Sequence, residues 1–438
     1  MDILYNADII VVGAGPAGIS AAISAVRLGK KVVLIDRAKY PGSKNMYGGA
    51  VYSEALKQIF DEKTLETLPY ERIINSNTWS FLNDTGSFDL TYNNSSSKSA
   101  YAIKRFNFER WMIDQAKKEG VYYIPNTLVV DLLDDNGYVV GVQTELEKYY
   151  SRVVILADGV NSFLAGKLGL RKEFAPKDMI LSVKETFKLD KKTIEERFRL
   201  KSDLSNGVAK MYFGGLKEVK NIFMMTYFYT FKDTLMLGVG VSLEDLKRNR
   251  LNINEVLDEI KEHPDIKALI KDAYPAEYSA HLIPETGYKK MPKLTANGVI
   301  IAGDAAGFIN SVHFEGTNFA LISGKLAGET AASINDFDYS GWNLSQYRKK
   351  LEKTFIMKDL YSYRNIIENL SKRSGSLSYY YPKKIKEFFE IITSANCISK
   401  SSQIRKFTFN FLKDRNITEL LKDITTFIKC GIDVFFGK

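Results

Sequence analysis

Gly13-Ala14-Gly15-Pro16-Ala17-Gly18 follows the short apolar run Asp8–Val12 and leads into a segment of small residues, Ala17–Leu28. The run reads as a buried parallel strand. The segment reads as a helix able to lie close to a sheet, with Gly29 as its C-cap. Lys31–Ile35 alternates into a second strand that ends at Asp36. Strand, glycine turn, helix and strand make a βαβ unit. In such a unit Gly13 permits the tight turn, Gly15 lets backbone approach a pyrophosphate, and Gly18 lets the helix touch the strand. The helix N-terminus then faces the phosphates with free N–H groups and partial positive charge. Asp36 is placed to accept hydrogen bonds from a ribose. Pro16, Ala17 and Arg37 are counted in the same dinucleotide-binding set.

That fingerprint serves NAD and FAD alike, and a second stretch separates them. Gly298-Val299-Ile300-Ile301-Ala302-Gly303-Asp304-Ala305-Ala306-Gly307 is a buried strand that delivers Asp304 to a turn bounded by Gly303 and Gly307. A carboxylate there suits the ribityl hydroxyls of FAD. The small-residue helix that follows, Gly316–Ala332, is expected to aim its N-terminus (Gly316, Thr317, Asn318) at the flavin pyrimidine ring and to favour negative charge on the reduced ring. The bland alternative for the Asp304 turn is a sheet end closed by an Asx bond. Ala157-Asp158-Gly159 is a further strand-end turn, and on its own an ordinary turn is as good a reading. Arg105, just before a helix predicted over Phe108–Glu119, can pair with a cofactor phosphate or simply be solvated. Pro41–Gly49 is a second glycine-rich loop: Lys44 and Asn45 join the binding set, and Gly48 and Gly49 let backbone pass over a flat ring. His313, beside the flavin-facing helix start with Glu315 and Asn318, is the one candidate catalytic residue, as a proton buffer; packing or capping is the competing role. His281 is expected to be structural. No indispensable acid–base triad is expected, because solvent can supply protons.

What the chain lacks narrows its chemistry. There is no second complete dinucleotide fingerprint, since Gly238-Val239-Gly240 has no third glycine. The two cysteines, Cys397 and Cys430, can form neither a CxxC dithiol nor a four-cysteine iron–sulfur site, and they fit a reducing, cytoplasmic compartment. Three histidines form no zinc pattern, so no metal is expected. Nothing at Met1–Asp8 resembles a signal peptide. The 45% apolar and 26% charged composition over 438 residues is that of a globular protein with a large core. Electrons therefore arrive from another protein or from a substrate bound at the flavin face.

The fold class expected is α/β: a Rossmann-like FAD-binding domain with an inserted antiparallel-sheet substrate domain and a helical C-terminal region. Val121–Ile124, Leu128–Leu133, Val139–Glu145 and Val153–Ala157 read as strands, with a hairpin turn at Asp134–Gly137. From Met179 to Val241 aromatic and apolar residues alternate over Lys210–Phe213, Phe223–Tyr229 and Thr234–Val241, and two helices follow over Ile253–His263 and Pro264–Ala273. The expected boundaries are 1–178 with 275–340 for the discontinuous FAD domain, 179–274 for the insert and 341–438 for the helical region.

Taken in order, GAGPAG, GSKNMYGG, Arg105 with Phe108 and Trp111, LADGVNS, TIEERFRL, YSAHLIPETG, GVIIAGDAAG and NSVHFEGTNFALISGK resemble the FixC family, and the likeness is weakest after about residue 340. That family is related to electron-transfer-flavoprotein:quinone oxidoreductase and, more distantly, to geranylgeranyl reductases. The resemblance implies one FAD, electrons from partner electron-transfer flavoprotein subunits, a small ferredoxin-like subunit carrying the iron–sulfur cluster, and delivery to a membrane quinone. The rivals are reduction of prenyl double bonds in lipids and a non-catalytic flavin scaffold in an electron-transfer assembly.

The C-terminal region adds charge and grease. The net charge of the chain is +9, yet residues 341–438 alone hold 19 Lys and Arg against 9 Asp and Glu, a net of +10. Ile417, Leu420, Leu421, Ile424, Phe427, Ile428 and Phe435 fall at helical spacing, with Lys422, Asp423, Lys429 and Asp433 off that stripe. One reading is a helix for an anionic membrane surface, which makes the chain peripheral to the cytoplasmic face. The other docks the stripe on the protein's own core. Basic charge also suits an acidic protein partner, and nucleic acid is not expected.

Overall fold

The computed structural model describes residues 6–43, 48–94, 96, 99–216, 222–334 and 338–436. Lys44 and Asn45 lie outside them. The opening βαβ unit forms as its sequence dictates: the Ala7–Val12 strand, the Pro16–Arg27 helix and the Val32–Ile35 strand. Ala7–Val12 sits centrally in an eight-stranded sheet, parallel to both Val32–Ile35 and Lys148–Leu156. Lys148–Leu156 pairs in parallel with Val299–Ile301, and Val32–Ile35 with Tyr122–Ile124. Strands buried on both faces need unbroken apolar runs, and Ile9, Ile10 and Val11 are fully buried here. The hairpin at Asp134–Gly137 forms, with Asn136 and Gly137 both at positive φ as its turn demands.

The Pro16–Arg27 helix packs against the Thr317–Ala332 helix, and small residues are what permit it. A Cβ on Gly324 would come within 2.0 Å of the Ala17 carbonyl oxygen, and one on Gly328 within 2.1 Å of that of Ala21. The two helices therefore touch backbone to backbone. This brings both glycine-turn helix starts to one end of the sheet.

The second sheet has seven strands in the order Tyr274–Pro284, Met179–Lys188, Thr234–Ser242, Met224–Thr230, Val208–Gly214, Ser76–Asn83, Gly86–Asn93. It is antiparallel except for Val208–Gly214 beside Ser76–Asn83. Two of its strands come from 76–93 and a third from 274–284, so the sheet draws on more chain than the expected 179–274 insert. Gly86–Asn93 does alternate, with Phe88, Leu90 and Tyr92 on one side, but local alternation does not say which sheet a hairpin joins, and Ser76–Asn83 finds its parallel partner Val208–Gly214 far along the chain. A small sheet of Gly49–Tyr52, Ala100–Ile103 and Tyr70–Ile73 joins the two larger ones. The Ile253–Glu262 and Pro264–Leu269 helices cover one face of the second sheet. From Gly341 onward the described chain is helical, ending in Ile417–Phe436.

Candidate functional site

Gly13 holds φ +101°, and a Cβ there would meet the Ala157 carbonyl oxygen at 2.3 Å. A Cβ on Gly18 would fall 1.8 Å from the Gly13 carbonyl oxygen. These two glycines thus weld turn, helix and neighbouring strand together, the roles expected from their spacing. Gly15 differs: a Cβ there meets nothing within 4 Å. Its backbone looks into open space at a helix start with no side-chain cap. Such an N-terminus has N–H groups left to offer a phosphate. The Asp36 carboxylate accepts the N–H groups of Ala14 and Ala38, each at 2.6 Å, so it braces the glycine turn from the second strand. Arg37 is exposed, and its charge bears on Asp158.

Gly303–Ala306 is a single 3-10 turn, and Gly307 closes it in the left-handed conformation. Asp304 is desolvated there, which pushes its carboxyl up to about 6 although Arg105 pulls the other way. Burial likewise raises Asp158 to about 6. The start of the Thr317–Ala332 helix is not bare: the Glu315 carboxylate accepts the Asn318 N–H at 2.6 Å. Desolvation raises Glu315 to about 7. The Arg105 guanidinium donates to the buried carboxyl of Glu109 at 2.6 Å through Nε, so part of its hydrogen bonding is already engaged.

Between these turns and the second sheet lies a cavity of about 340 Å³. Gly15, Pro16, Ala17, Gly48, Gly49, Arg105, Ala157, Gly159, Asp304, Gly316, Thr317 and His313 all reach it, so these expected site residues converge on one space. Gly13, Gly18, Gly303 and Gly307 form the backing of the turns. Asp36, Arg37, Asp158 and Asn318 do not line the cavity itself. The far wall is apolar and aromatic, with Ile180, Met211, Phe223, Met225, Tyr227 and Ile283. The hydroxyls of Tyr227 and Ser182 are 2.9 Å apart.

Three wall residues were not singled out by the sequence reading as groups of the site. Lys184 reaches towards the Gly48 carbonyl at 3.4 Å and is lowered to about 8, first by desolvation and then by Arg105. His281, expected to be structural, opens onto the cavity, and desolvation with Arg105 and Lys184 lowers it to about 4. Glu285 is raised to about 7 by desolvation. Strand alternation alone hides such groups: a lone lysine, histidine or glutamate in a strand looks the same whether it faces water or a chamber. His313 is exposed on the cavity rim, and its ring opposes the burial that raises Asp359.

The residues fit an FAD. The open face of Gly15 suits a pyrophosphate. Asp304 and Glu315, both desolvated, line the same space as Gly48 and Gly49, and carboxyls there suit the hydroxyl and N–H donors of such a ligand. No group of three or more His, Cys, Asp or Glu suited to a metal occurs among the described residues.

Comparison with known proteins agrees. Residues 8–160 match the family described as FAD dependent oxidoreductase. A geranylgeranyl bacteriochlorophyll reductase-like protein from Thermoplasma acidophilum shares the fold, with a TM-score of 0.69 at 20% identity over 93% of this chain and 98% of that one. The flavin-dependent brominase Bmp2 gives 0.61 at 17% identity, over 87% and 90% of the two chains. The protein is an FAD-dependent oxidoreductase. Protein FixC of Bradyrhizobium diazoefficiens is 34% identical over 96% of this chain and 98% of its own, and that of Azotobacter vinelandii 35% over the same shares. The chain belongs to the FixC family.

Proposed function

We propose that the chain passes electrons from a partner electron-transfer flavoprotein to a quinone-type acceptor, as the FixC resemblance implies, with a small ferredoxin-like subunit as a further partner. The observation that carries this reading is the two-sided cavity. One wall is glycine backbone and helix N-termini suited to FAD, and the other is Ile180, Met211, Phe223, Met225 and Ile283, suited to a flat apolar acceptor. When bound, FAD accepts and releases electrons at the ring. The chain supplies the rest. The Gly13–Gly18 turn and Asp304 bind and orient it, the helix starting at Thr317 sets the electrostatics at its end of the cavity, and the aromatic wall limits water. With two cysteines the chain cannot hold a four-cysteine cluster, which supports a cluster on a separate subunit.

The C-terminal helix supports an anionic bilayer as the place where such an acceptor is met. Ile417, Leu421, Ile424, Phe427, Ile428 and Ile432 are exposed on Ile417–Phe436, in the region of net +10. No helix among the described residues is long and apolar enough to cross a membrane, so contact is peripheral in this reading. Prenyl-lipid reduction is the second reading, favoured by the fold shared with the geranylgeranyl reductase-like structure.

The test is anaerobic reduction of the FAD-loaded chain by an electron-transfer flavoprotein, followed by quinone or an unsaturated prenyl lipid as oxidant. Reoxidation by quinone, with slow direct NADH oxidation, is the expected result. Reoxidation by the prenyl lipid alone selects the second reading. Rapid NADH oxidation by the isolated chain overturns the partner-fed role.

A further inference from the structure

Glu285 closes the Tyr274–Pro284 strand at the cavity wall. Its backbone N–H donates to the Asp178 carbonyl at 2.7 Å, which fixes the strand end. Its carboxylate accepts the Ser311 hydroxyl at 2.5 Å. Ser311 is itself held, because it lies in a loop pinned at both ends by the Asn310–Glu315 bridge. Asn310 tightens the loop further: its Oδ1 accepts the N–H groups of Val312 and His313, and its Nδ2 donates to Asp359 at 3.1 Å. The surface that Glu285 retains faces the chamber.

A desolvated carboxyl with one neutral hydrogen-bond donor is a proton reservoir near neutral pH. The other titratable groups of the chamber are committed differently. Glu315 is tied to the helix start and Asp304 sits in the glycine-bounded turn. His281 is neutral once lowered to about 4, and Lys184, across the sheet, reaches towards Gly48. Tyr227 is bonded to Ser182, Tyr52 and Tyr229 are raised by burial, Arg105 donates to Glu109, and His313 sits against Asp359. Asp178, behind the strand end, is paired with Lys290.

We propose that Glu285, positioned by Ser311, hands a proton to the acceptor as it is reduced in the chamber. This rests on the reading of that chamber as the acceptor site. A quinone becomes a quinol by gaining two electrons and two protons. Two electrons and one proton would come from the flavin that the glycine turns would hold, and Glu285 supplies the second proton. The carboxyl O–H bond breaks, an O–H bond forms on the acceptor's carbonyl oxygen, and Glu285 is left as a carboxylate that the Ser311 hydroxyl stabilises. Water then reprotonates it.

The experiment uses the FAD-loaded chain, reduced anaerobically and mixed with a short-chain quinone across a pH series. In the wild type the oxidation rate falls as pH rises through about 7, where Glu285 loses its proton. E285Q lowers the rate about 100-fold or more and removes the pH limb, since a positioned general acid contributes at least that much. Ser311 holds the carboxyl down, so S311A moves the limb to higher pH. An independent reading is the infrared difference between wild type and E285Q in the oxidised protein: the bands of Glu315, Asp304 and Asp158 cancel, one protonated-carboxyl band remains and titrates near pH 7, and the retained flavin spectrum of E285Q reports folding. A wild type that reduces no quinone overturns the acceptor reading and this one with it. A wild type that does so, with E285Q matching it in rate and pH profile or the difference spectrum showing no carboxyl band that titrates near pH 7, overturns the role of Glu285 alone.

Discussion

Two amphipathic helices of this chain face opposite ways. In Ile253–Glu262 the apolar residues Ile253, Val256, Leu257 and Ile260 are buried against the second sheet, and Asn254, Glu255 and Asp258 face water. In Ile417–Phe436 the order is reversed. Asp423 is 1% exposed, and Asp433 turns inward to Asn365, whereas Ile417 and Ile428 are 63% and 55% exposed. A periodic sequence shows that a helix has an apolar side; it does not show which side the protein keeps. Partners decide that. The Asp423 carboxylate accepts from Arg415 at 2.6 Å, Tyr381 at 2.8 Å and Ser376 at 3.3 Å, with Arg373 at 3.6 Å. A hub of this kind compensates the desolvation of one acid and frees the apolar side for another surface.

The sharpest way to break the contrast is Asp423→Ala. It leaves Arg415 and Arg373 without their shared carboxylate, and loss of one partner in a buried ion pair costs about 3–5 kcal/mol. Amide hydrogen exchange across 417–436 measures it, and unchanged protection would mean that the hub does not hold the helix. Next in size is Ile260→Ala in the conventionally docked helix. Truncating a fully buried isoleucine costs about 2–5 kcal/mol, read as a shift in the denaturant midpoint of the FAD-loaded protein.

The same contrast explains what was legible in the sequence. The Gly13–Gly18 turn, Asp304 and the two small-residue helices were readable because close backbone approach forbids a Cβ, a constraint that fixes residue type at fixed spacing. The strands 76–93 alternate, with Phe88, Leu90 and Tyr92 on one side, but alternation does not name the sheet a hairpin joins, and their partner Val208–Gly214 lies far along the chain. The C-terminal stripe was recognised as a stripe, but two placements remained open, and the inward turn of Asp423 depends on Arg373, Ser376, Tyr381 and Arg415, up to fifty residues upstream in chain and invisible to local periodicity. Glu285 and Lys184 were passed over for a related reason. Their chemistry comes from the chamber that the folded sheet builds around them, while Asp304 carries its glycine-bounded turn with it in the sequence.

If the outward face meets an anionic bilayer, the lysines flanking it matter through charge. Lys422 and Lys429 are both exposed. Replacing both with Ala is expected to weaken binding to vesicles containing an anionic phospholipid by about 2 kcal/mol, from about 1 kcal/mol for each basic residue near the surface. Added salt should shrink that difference. Equal binding by wild type and variant at low salt counts against the bilayer and leaves a protein partner as the occupant.

The smallest effect is the most discriminating. Ile424→Ala removes the same atoms as Ile260→Ala, from a residue 51% exposed in place of one fully buried. With water on its outer side, the change in stability should stay within about 0.5 kcal/mol, even as vesicle binding weakens through lost apolar contact. Paired denaturation curves for the two variants decide the matter. Destabilisation comparable to that of Ile260→Ala would mean that in solution the stripe packs on the protein after all, with the acids turned to water. A near-silent Ile424→Ala beside a costly Asp423→Ala leaves only the reversed arrangement, because no helix can lose little from its buried face and much from its exposed one.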